Sequence, residues 1–245
     1  MVNGKVPKIL IGCPTYQGKE YCLKEYLAGV KNLTYPNYDL VLVDNSEDDT
    51  YFKTLQSLGV RVLKEPGIGT PIERVVNSRN KLLDLMLKGD YEYFFSLEQD
   101  VIAPPDAIER LLLNKKRICG GVYFTTYHFA SKLKIRPLMW GEVGDTQKMR
   151  FMLKESKGDN VHKVRATGLG CLLIHRSVLE KIRFASDQKK TIYDDVVFCR
   201  DAKKKGFDVF VDAGVKCKHI IDLDGNYVTL YMQQGKMQTE LLRKA

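Results

Sequence analysis

The sequence predicts an α/β fold whose mostly parallel sheet is flanked by helices. Short apolar runs of strand length alternate with amphipathic helical segments through the amino-terminal part of the chain. Such alternation favours a parallel sheet, because a parallel strand needs a crossover segment to reach its neighbour. The last run of this series, Tyr93 to Leu97, is aromatic and apolar and stops abruptly at acidic residues. We therefore expect polar groups at the carboxyl end of a buried strand, where open α/β sheets bind their ligands.

Each element in this series is predicted from the spacing of its apolar residues. Strands are continuous apolar runs bounded by turn residues, and helices repeat apolar residues every three or four positions. In chain order, the predicted elements are a strand from Lys8 to Cys13, a helix from Leu23 to Leu33, a strand from Asp39 to Val43, a helix from Tyr51 to Leu58, a strand from Val60 to Leu63, a helix from Pro71 to Leu87 and the strand from Tyr93 to Leu97.

The pattern after this strand is less regular. Further predicted elements are strands from Ile118 to Phe124, from Ala166 to Ile174, from Phe207 to Val211 and from Val215 to Ile220, and a helix from Ile192 to Gly206 with acids at its start and lysines at its end. Residues from Tyr123 to Arg165 form a long, weakly patterned insert that predicts an irregular loop. Its aromatic residues, including Trp140, either cover the edge of the core or form a platform on which a sugar stacks.

The length suits one large domain with a short appendage. The chain has 245 residues, and we expect a single domain over residues 1–225, with halves of about 1–102 and 103–225. Residues 226–245 predict a helical, mildly basic tail. Three roles remain open for this tail, namely packing on the domain, contact with a membrane surface, or formation of a homodimer.

Two carboxylates follow the central strand with one residue between them. Glu98 and Asp100 lie at positions i and i+2, and side chains at this spacing project to the same side of an extended chain. They can therefore converge on one hard divalent cation. The alternative is that the two acids only cap and solvate the end of the strand.

One arginine interrupts an apolar helical face. Arg79 falls in the middle of the apolar stripe of the helix from Pro71 to Leu87. A guanidinium that faces the sheet must find an anion, because an unpaired buried charge is too costly. A carboxylate at the end of the sheet, such as Asp44, and a bound ligand are both candidate partners.

Composition and charge narrow the class of protein. The hydrophobic content of 44% is that of a soluble globular protein, and we expect a cytoplasmic protein with at most a peripheral membrane contact. The formal net charge is +9, and the Lys and Arg residues are interspersed with acidic residues rather than grouped in blocks. No nucleic-acid partner is therefore expected. Six scattered cysteines indicate free thiols, and the glycine patterns of dinucleotide-binding and P-loop sites are missing.

Taken together, the landmarks resemble the GT-A fold glycosyltransferases, in particular the inverting family 2 enzymes that use nucleotide sugars. The likeness covers residues 8 to 220. It is carried, in chain order, by Pro14-Thr15-Tyr16, Val41-Leu42-Val43-Asp44-Asn45-Ser46 with Asp48-Asp49-Thr50, Arg79-Asn80, Leu97-Glu98-Gln99-Asp100-Val101 with Pro104-Pro105-Asp106, Thr167-Gly168-Leu169-Gly170-Cys171, Asp194-Asp195 before Val197-Phe198, and Val211 to His219.

The resemblance implies a Rossmann-like donor half and a smaller acceptor-side subdomain. It implies a nucleoside-diphosphate sugar as donor and a glycan, a lipid-linked molecule or a protein as acceptor. The residues that it implies for nucleotide-sugar binding are Pro14, Thr15, Tyr16, Asp44, Asn45, Arg79, Glu98 and Gln99. Those implied for the acceptor are Trp140, Gly168 and Gly170. Small residues such as these two glycines indicate backbone that passes close to a ligand or to another strand.

The resemblance also implies metal and base residues. Glu98-Gln99-Asp100 is similar to the D-x-D motif of the family, whose last Asp binds Mn²⁺ or Mg²⁺ on the diphosphate, with Glu98 as a longer replacement of the first Asp. His219 matches a position that completes the metal site in some relatives, although a lone histidine is often structural. Asp195 resembles the general base, with Asp194 as its companion. The alternative for both is capping of a helix amino terminus.

Single-sugar transfer is the expected reaction, because the Q-x-x-R-W signature of processive synthases is missing. Two rival functions stay open at the level of sequence. One is a non-catalytic protein that binds nucleotides or nucleic acid, in which the carboxylates only hold loops. The other is a sugar nucleotidyltransferase, although the loop after the first strand carries one glycine rather than a glycine-rich run.

Overall fold

The computed structural model describes residues 6–130, 132–144, 146, 148–187, 193–223 and 225–242. The predicted helix start at Ile192 and the last three residues of the predicted tail lie outside these ranges. Within them, no helix is long and apolar enough to cross a membrane.

Strands dominate the chain. They are β1 (Ile9–Thr15), β2 (Tyr38–Asp44), β3 (Val62–Lys64), β4 (Tyr93–Leu97), β5 (Val101–Ile102), β6 (Ile118–Val122), β7 (Phe124–Phe129), β8 (Lys132–Pro137), β9 (Met139–Glu142), β10 (Met149–Phe151), β11 (Val161–Val164), β12 (Ala166–Thr167), β13 (Cys171–His175), β14 (Val209–Lys216), β15 (Lys218–Leu223), β16 (Asn226–Gln233) and β17 (Lys236–Leu241). The α-helices are α1 (Leu23–Lys31), α2 (Thr50–Ser57), α3 (Pro71–Lys88), α4 (Ala107–Leu113), α5 (Arg176–Leu179) and α6 (Asp194–Lys204), and two short 3-10 helices cover Gln17–Cys22 and Glu155–Lys157.

A large central sheet confirms the predicted α/β fold. Its eight strands lie in the order β11-β14-β6-β13-β4-β1-β2-β3. The strands β4, β1, β2 and β3 are parallel to one another, and β14 is parallel to β6. Strand β13 runs antiparallel to both β4 and β6, and β11 runs antiparallel to β14. The sheet is therefore mostly parallel.

The core lies on both faces of this sheet, because successive residues of a strand point to opposite sides. Leu10 and Phe94 face one apolar cluster, and Ile11 and Phe95 face the other. Helices α3 and α6 cover the first cluster, whereas α1, α2 and α4 cover the second. A capping box at Thr70 begins α3, which fixes the point where this helix leaves the end of the sheet.

The prediction of a helical tail is wrong. Strands β16 and β17 form a hairpin that extends a four-stranded sheet of order β17-β16-β15-β5. The sequence has a period of two here, since Val228, Leu230 and Met232 are buried while their neighbours are more exposed. Gln234 and Gly235 both have positive φ, which suits the tight turn of a two-residue hairpin.

The prediction of an irregular insert from Tyr123 to Arg165 is also wrong. Strands β7 and β8 pair as a hairpin that is a sheet of its own, and β9 pairs with both β10 and β12. Short strands with polar residues on one side give a weak pattern, because only one face of each strand packs on the protein. The insert therefore forms small sheets beside the central one and also supplies β11, an edge strand of the central sheet.

Candidate active site

The acidic motif after β4 is fixed by a buried amide. Gln99 is 1% exposed, and its Oε1 accepts a hydrogen bond from Thr15 at the end of β1. Its Nε2 donates to the backbone oxygen of Lys19 at 2.6 Å and lies 2.9 Å from the hydroxyl of Tyr51. The middle residue of the motif therefore ties three segments together.

An open cavity of about 220 Å³ lies at this end of the sheet. It is lined by eight residues that the sequence singled out, namely Pro14, Thr15, Tyr16, Asn45, Arg79, Glu98, Gln99 and Asp100, together with Lys19 and Val75. Sequence reasoning missed Lys19 and Val75. The position of Lys19 in the loop that follows β1 was the available signal for the lysine, since that loop reaches the end of the sheet.

Asp44 lies behind the cavity rather than in its wall. Its side chain is fully buried, where Oδ1 accepts hydrogen bonds from Ser46 and Oδ2 accepts one from Lys64 at 2.8 Å. Lys64 is the cross-strand partner of Asp44 in the pairing of β2 with β3. Asp44, one candidate partner of Arg79, does not pair with it, because the carboxylate of Asp44 is bonded to Lys64 on the neighbouring strand.

Arg79 instead joins two acidic sites. Its Nη2 bonds to Glu98, and its Nε donates to Asp194 Oδ2 at 2.7 Å. A third nitrogen, Nη1, donates to the hydroxyl of Ser96 at 2.9 Å. Burial alone would lower the pKa of this guanidinium, but the charges of Asp194 and Glu98 raise it, so the group stays charged. One cation thus holds the strand-end motif against the start of α6.

The pKa of the Asp195 carboxyl group is raised toward neutrality. Burial, followed by the charge of Asp194, raises the pKa of Asp195 to about 7, although a hydrogen bond from the amide of Val196 opposes the change. That amide donates to Oδ1 at 2.6 Å. A carboxyl group with a pKa near 7 can take a proton at neutral pH and still be deprotonated often enough to act as a base.

The capping alternative accounts for only part of this arrangement. The residue before α6 is Tyr193, which makes no side-chain capping bond. The carboxylate of Asp194 bonds to Arg79, and the carboxylate of Asp195 accepts a hydrogen bond from one free amide of the first turn. The two acids therefore do more than cap the helix.

Asp100 and His219 meet at the other side of the motif. Nε2 of His219 lies 3.5 Å from Oδ2 of Asp100, and Lys19 contacts the same oxygen. Burial alone would raise the pKa of Asp100, but the hydrogen bond and charge of His219 and the charge of Lys19 hold it well below its usual range. Burial likewise works to lower the pKa of His219, and its contact with Asp100 raises it.

The two glycines of the predicted acceptor set pack against a tyrosine. A Cβ atom on Gly168 would lie 2.1 Å from the hydroxyl oxygen of Tyr123, and one on Gly170 would lie 2.7 Å from it. The amide of Gly170 also donates to that hydroxyl at 2.8 Å. The close approach that the sequence indicated is therefore to Tyr123, and contact of these glycines with an acceptor stays a prediction.

Trp140 belongs to an aromatic group on the small sheets. It lies on β9, and its ring centroid is 5.8 Å from that of Phe151 on β10. It is half-buried and packs against the core. Both alternatives for this residue therefore remain compatible with its place, and a contact with the acceptor stays a prediction.

Comparison with known proteins identifies the family. Residues 11–183 match the sequence profile described as Glycosyl transferase family 2. The chain belongs to this family. Membership supports glycosyl transfer as the activity, and it implies a nucleotide-sugar donor and an acceptor. The mostly parallel sheet flanked by helices is consistent with the GT-A fold.

A solved structure has the same fold. The crystal structure of A197 from STIV superposes with a TM-score of 0.54 at 14% sequence identity, and the match covers 97% of this chain and 95% of that one. At this identity the likeness concerns the fold alone. A search of curated proteins finds no match.

Family 2 enzymes commonly use a divalent metal, and the donor atoms here fit one. Nδ1 of His219 lies 2.7 Å from the backbone oxygen of Phe124, a contact that leaves Nε2 to face Asp100. Among the described residues, no three His, Cys, Asp or Glu side chains come together as a metal cage. One carboxylate and one imidazole are donor groups that suit a divalent cation. Glu98, also expected at the metal, is bonded to Arg79.

Proposed function

We propose that this family 2 member moves one sugar from a nucleoside-diphosphate sugar to an acceptor hydroxyl, with inversion and with Asp195 as general base. The observation that carries the proposal is the guanidinium of Arg79, which bonds to both Glu98 and Asp194. A donor bound at the strand-end motif and an acceptor bound at the start of α6 would meet across this one buried cation. The distance between the two half-sites is then set by the protein rather than by the substrates.

The donor cavity supplies polar groups suited to a nucleotide diphosphate. In this proposal Thr15, Tyr16 and Asn45 contact the nucleotide, and Pro14 shapes the wall beside it. Asp44 and Gln99 act by holding the loops, since both are buried and bonded within the protein. The ammonium of Lys19 faces the same space and can pair with a phosphate oxygen.

The proposed chemical step is a substitution at the anomeric carbon of the donor sugar. The acceptor oxygen forms a bond to the anomeric carbon as the bond from that carbon to the diphosphate oxygen breaks, and the nucleoside diphosphate leaves with the electron pair. The acceptor proton passes to the carboxylate of Asp195, whose raised pKa makes it a competent acceptor. Asp194 and Arg79 orient this carboxylate by fixing the first turn of α6.

A divalent cation, Mn²⁺ or Mg²⁺, would be held by Asp100 and His219 and would supply positive charge to the departing diphosphate. Lys19 contacts the same carboxylate oxygen of Asp100, so its ammonium must turn away from that oxygen when such a cation binds. It then lies where it can contact the diphosphate.

The test starts from a thermal-shift screen of nucleotide sugars in the presence of Mn²⁺, because a bound donor stabilises the folded protein. With the donor that the screen selects, we expect Asp195→Asn to lower the release of nucleoside diphosphate by about 10²- to 10⁴-fold. Nucleotide affinity should change little. Asp201→Asn is the matched control, since Asp201 lies on the same helix and pairs only with neighbouring basic residues among those described.

The outcomes separate the rival functions. Full turnover by Asp195→Asn would remove the base assignment. Nucleotide binding without any turnover in the native chain would favour the non-catalytic binder. Release of pyrophosphate from a nucleoside triphosphate would favour the nucleotidyltransferase.

A further inference from the structure

A half-exposed aromatic and cationic surface lies on the small sheets. We define this acceptor face by Tyr127, Phe129, Lys134, Arg136, Trp140 and Phe151. The ring centroids of Tyr127 and Phe129 lie 5.0 and 6.3 Å from that of Phe151, and Trp140 lies 5.8 Å from it. The rings therefore form one continuous wall rather than scattered surface residues.

Two independent connections join this wall to the active site. Strand β7 begins at Phe124, whose backbone oxygen contacts Nδ1 of His219. On the other side, Trp140 is the cross-strand partner of Ala166 in β12, and β12 packs against α6, the helix that begins with Asp194 and Asp195. The aromatic wall is thus connected both to Asp195, the proposed base, and to His219, the proposed metal ligand. The charge of Asp195 also contributes to the raised pKa of Tyr127, after burial, as expected for neighbouring groups.

Among the residues that the structure describes, the cations of the acceptor face have no acidic partner. No Asp or Glu occurs between Glu109 and Glu142 in the sequence. Lys134 Nζ lies 5.7 Å and Arg136 Cζ 5.6 Å from the ring centroid of Phe129, and neither forms an ion pair within the part of the chain that the structure describes. By contrast, Arg165 and Lys203 are both paired with Glu142.

The pairing along the hairpin puts charge and rings on one side. Lys134 lies directly opposite Tyr127 across the two strands, and Arg136 lies opposite Thr125. Since alternate residues of a strand share a face, Tyr127, Phe129, Lys134 and Arg136 point the same way. The remaining exposed apolar residue of the hairpin, Leu133, pairs with His128 and belongs to the other face.

The geometry points to an acidic saccharide as the acceptor, with a carboxylate or phosphate bound by Lys134 and Arg136 and a neighbouring sugar ring stacked on the aromatic wall. This inference rests on the proposed function, because it names the acceptor class of the same site. Aromatic rings suit the apolar face of a sugar, and a guanidinium suits a planar carboxylate or a phosphate. A membrane surface fits less well, because the exposed apolar residues of the hairpin are divided between its two faces.

The experiment compares matched pairs of labelled oligosaccharides. One pair is tetragalacturonate and its carboxyl-reduced form, and the other is a mannose 6-phosphate oligosaccharide and its dephosphorylated form. We expect the charged member of at least one pair to bind the complete chain about tenfold more tightly at low salt, with the difference shrinking at high salt. We expect Arg136→Gln and Lys134→Gln each to weaken that binding about 3- to 10-fold.

Controls separate this inference from the proposed function. Lys163→Gln removes an exposed lysine that pairs with Asp208 away from the face, and it should leave oligosaccharide binding unchanged. Phe129→Ala should weaken charged and neutral oligosaccharides alike. All four variants should bind the nucleotide sugar as the native chain does, so a failure of donor binding is a separate result.

Three results would overturn the inference. The first is equal affinity for the charged and neutral members of both pairs. The second is native binding by Arg136→Gln and Lys134→Gln. The third is sedimentation with phosphatidylglycerol vesicles together with no binding of any oligosaccharide, which would assign the face to a membrane surface instead.

Discussion

The donor cavity and the acceptor face treat charge in opposite ways. Around the cavity, Lys19, Lys64 and Arg79 each contact a carboxylate of the protein. On the acceptor face, Lys134 and Arg136 contact an aromatic ring and no described carboxylate. The cavity is therefore organised before any substrate arrives, whereas the face keeps its positive charge for a partner. Internal pairing fixes geometry, and unpaired charge selects a ligand.

The largest effect should come from the buried cation of the donor side. Replacement of Arg79 by Met leaves Glu98 and Asp194 without their shared partner, and we expect a loss of about 3–5 kcal/mol in the free energy of unfolding. Urea unfolding at pH 7.5 measures it. Arg183→Met, which removes an exposed arginine paired with Asp84, should cost no more than about 1 kcal/mol. Equal losses in the two variants would mean that the cavity is not held by its internal pairs.

The next effect concerns the pH dependence of Asp195. Its pKa of about 7 in the folded chain exceeds its ordinary value of 3.8, so the folded state binds more protons than the unfolded state between these values. The stability cost of this group therefore grows as the pH rises through that window and is complete above about pH 7. Turnover should rise with pH over the same region, because the base must be ionised.

Asp195→Asn should accordingly raise the melting temperature by several degrees at pH 8 and change it little near pH 4. Differential scanning calorimetry at the two pH values measures both. Asp201→Asn serves again as the control on the same helix. A melting temperature that is unchanged at pH 8 would mean that burial does not raise the pKa of Asp195.

A smaller effect is expected at the glycines behind the motif. Gly168→Ala puts a Cβ atom against the hydroxyl of Tyr123, and we expect a loss of about 1–3 kcal/mol in stability. The loss should be smaller when Tyr123→Phe removes that hydroxyl, which a double-mutant cycle measures. Gly158→Ala is the control, because the nearest atom to its new Cβ lies at 3.7 Å. Additive losses would show that the tyrosine does not require the glycine.

The smallest effect is expected for Lys19, the lysine that contacts Asp100 in the cavity. Lys19→Met frees Asp100 Oδ2, so Mn²⁺ should bind about tenfold more tightly, as measured by electron paramagnetic resonance of free Mn²⁺. The affinity for a nucleoside diphosphate in the presence of a chelator should fall, because the ammonium no longer meets the phosphates. Lys31→Met on α1 should change neither quantity. Unchanged Mn²⁺ affinity would mean that lysine and metal do not share the carboxylate.

Sequence reasoning succeeded where burial in or against the central sheet gives a regular pattern of apolar residues. The strand from Tyr93 to Leu97 is confirmed residue for residue as β4, which lies inside the central sheet with apolar residues on both faces. The helix over α3 was predicted to within one residue, because its apolar stripe packs on that sheet. The need of Arg79 for an anion was likewise evident from its place in an apolar stripe. Its partners were not, since Asp194 lies far along the chain and only the folded sheet brings it close.

Other features of the site could not be foreseen for physical reasons. Lys19 does not belong to a periodic apolar pattern. Its contact with Asp100 depends on the path of the segment that follows β1. The strands from β7 to β10 pack on one side only, so polar residues dilute their pattern. The tail carries the period of a strand over residues 226–233, which the prediction of a helical, mildly basic tail overlooked.

The hairpin of β7 and β8 hydrogen-bonds as a separate two-stranded sheet, outside the eight-stranded central sheet. Residues at its tip can therefore be exchanged without changing the register of the strands that position Asp100 or Asp195. Related chains that differ in this ribbon would acquire new acceptors while keeping the same donor and the same reaction. Under the proposed function, acceptor recognition can change without a change in the transfer reaction.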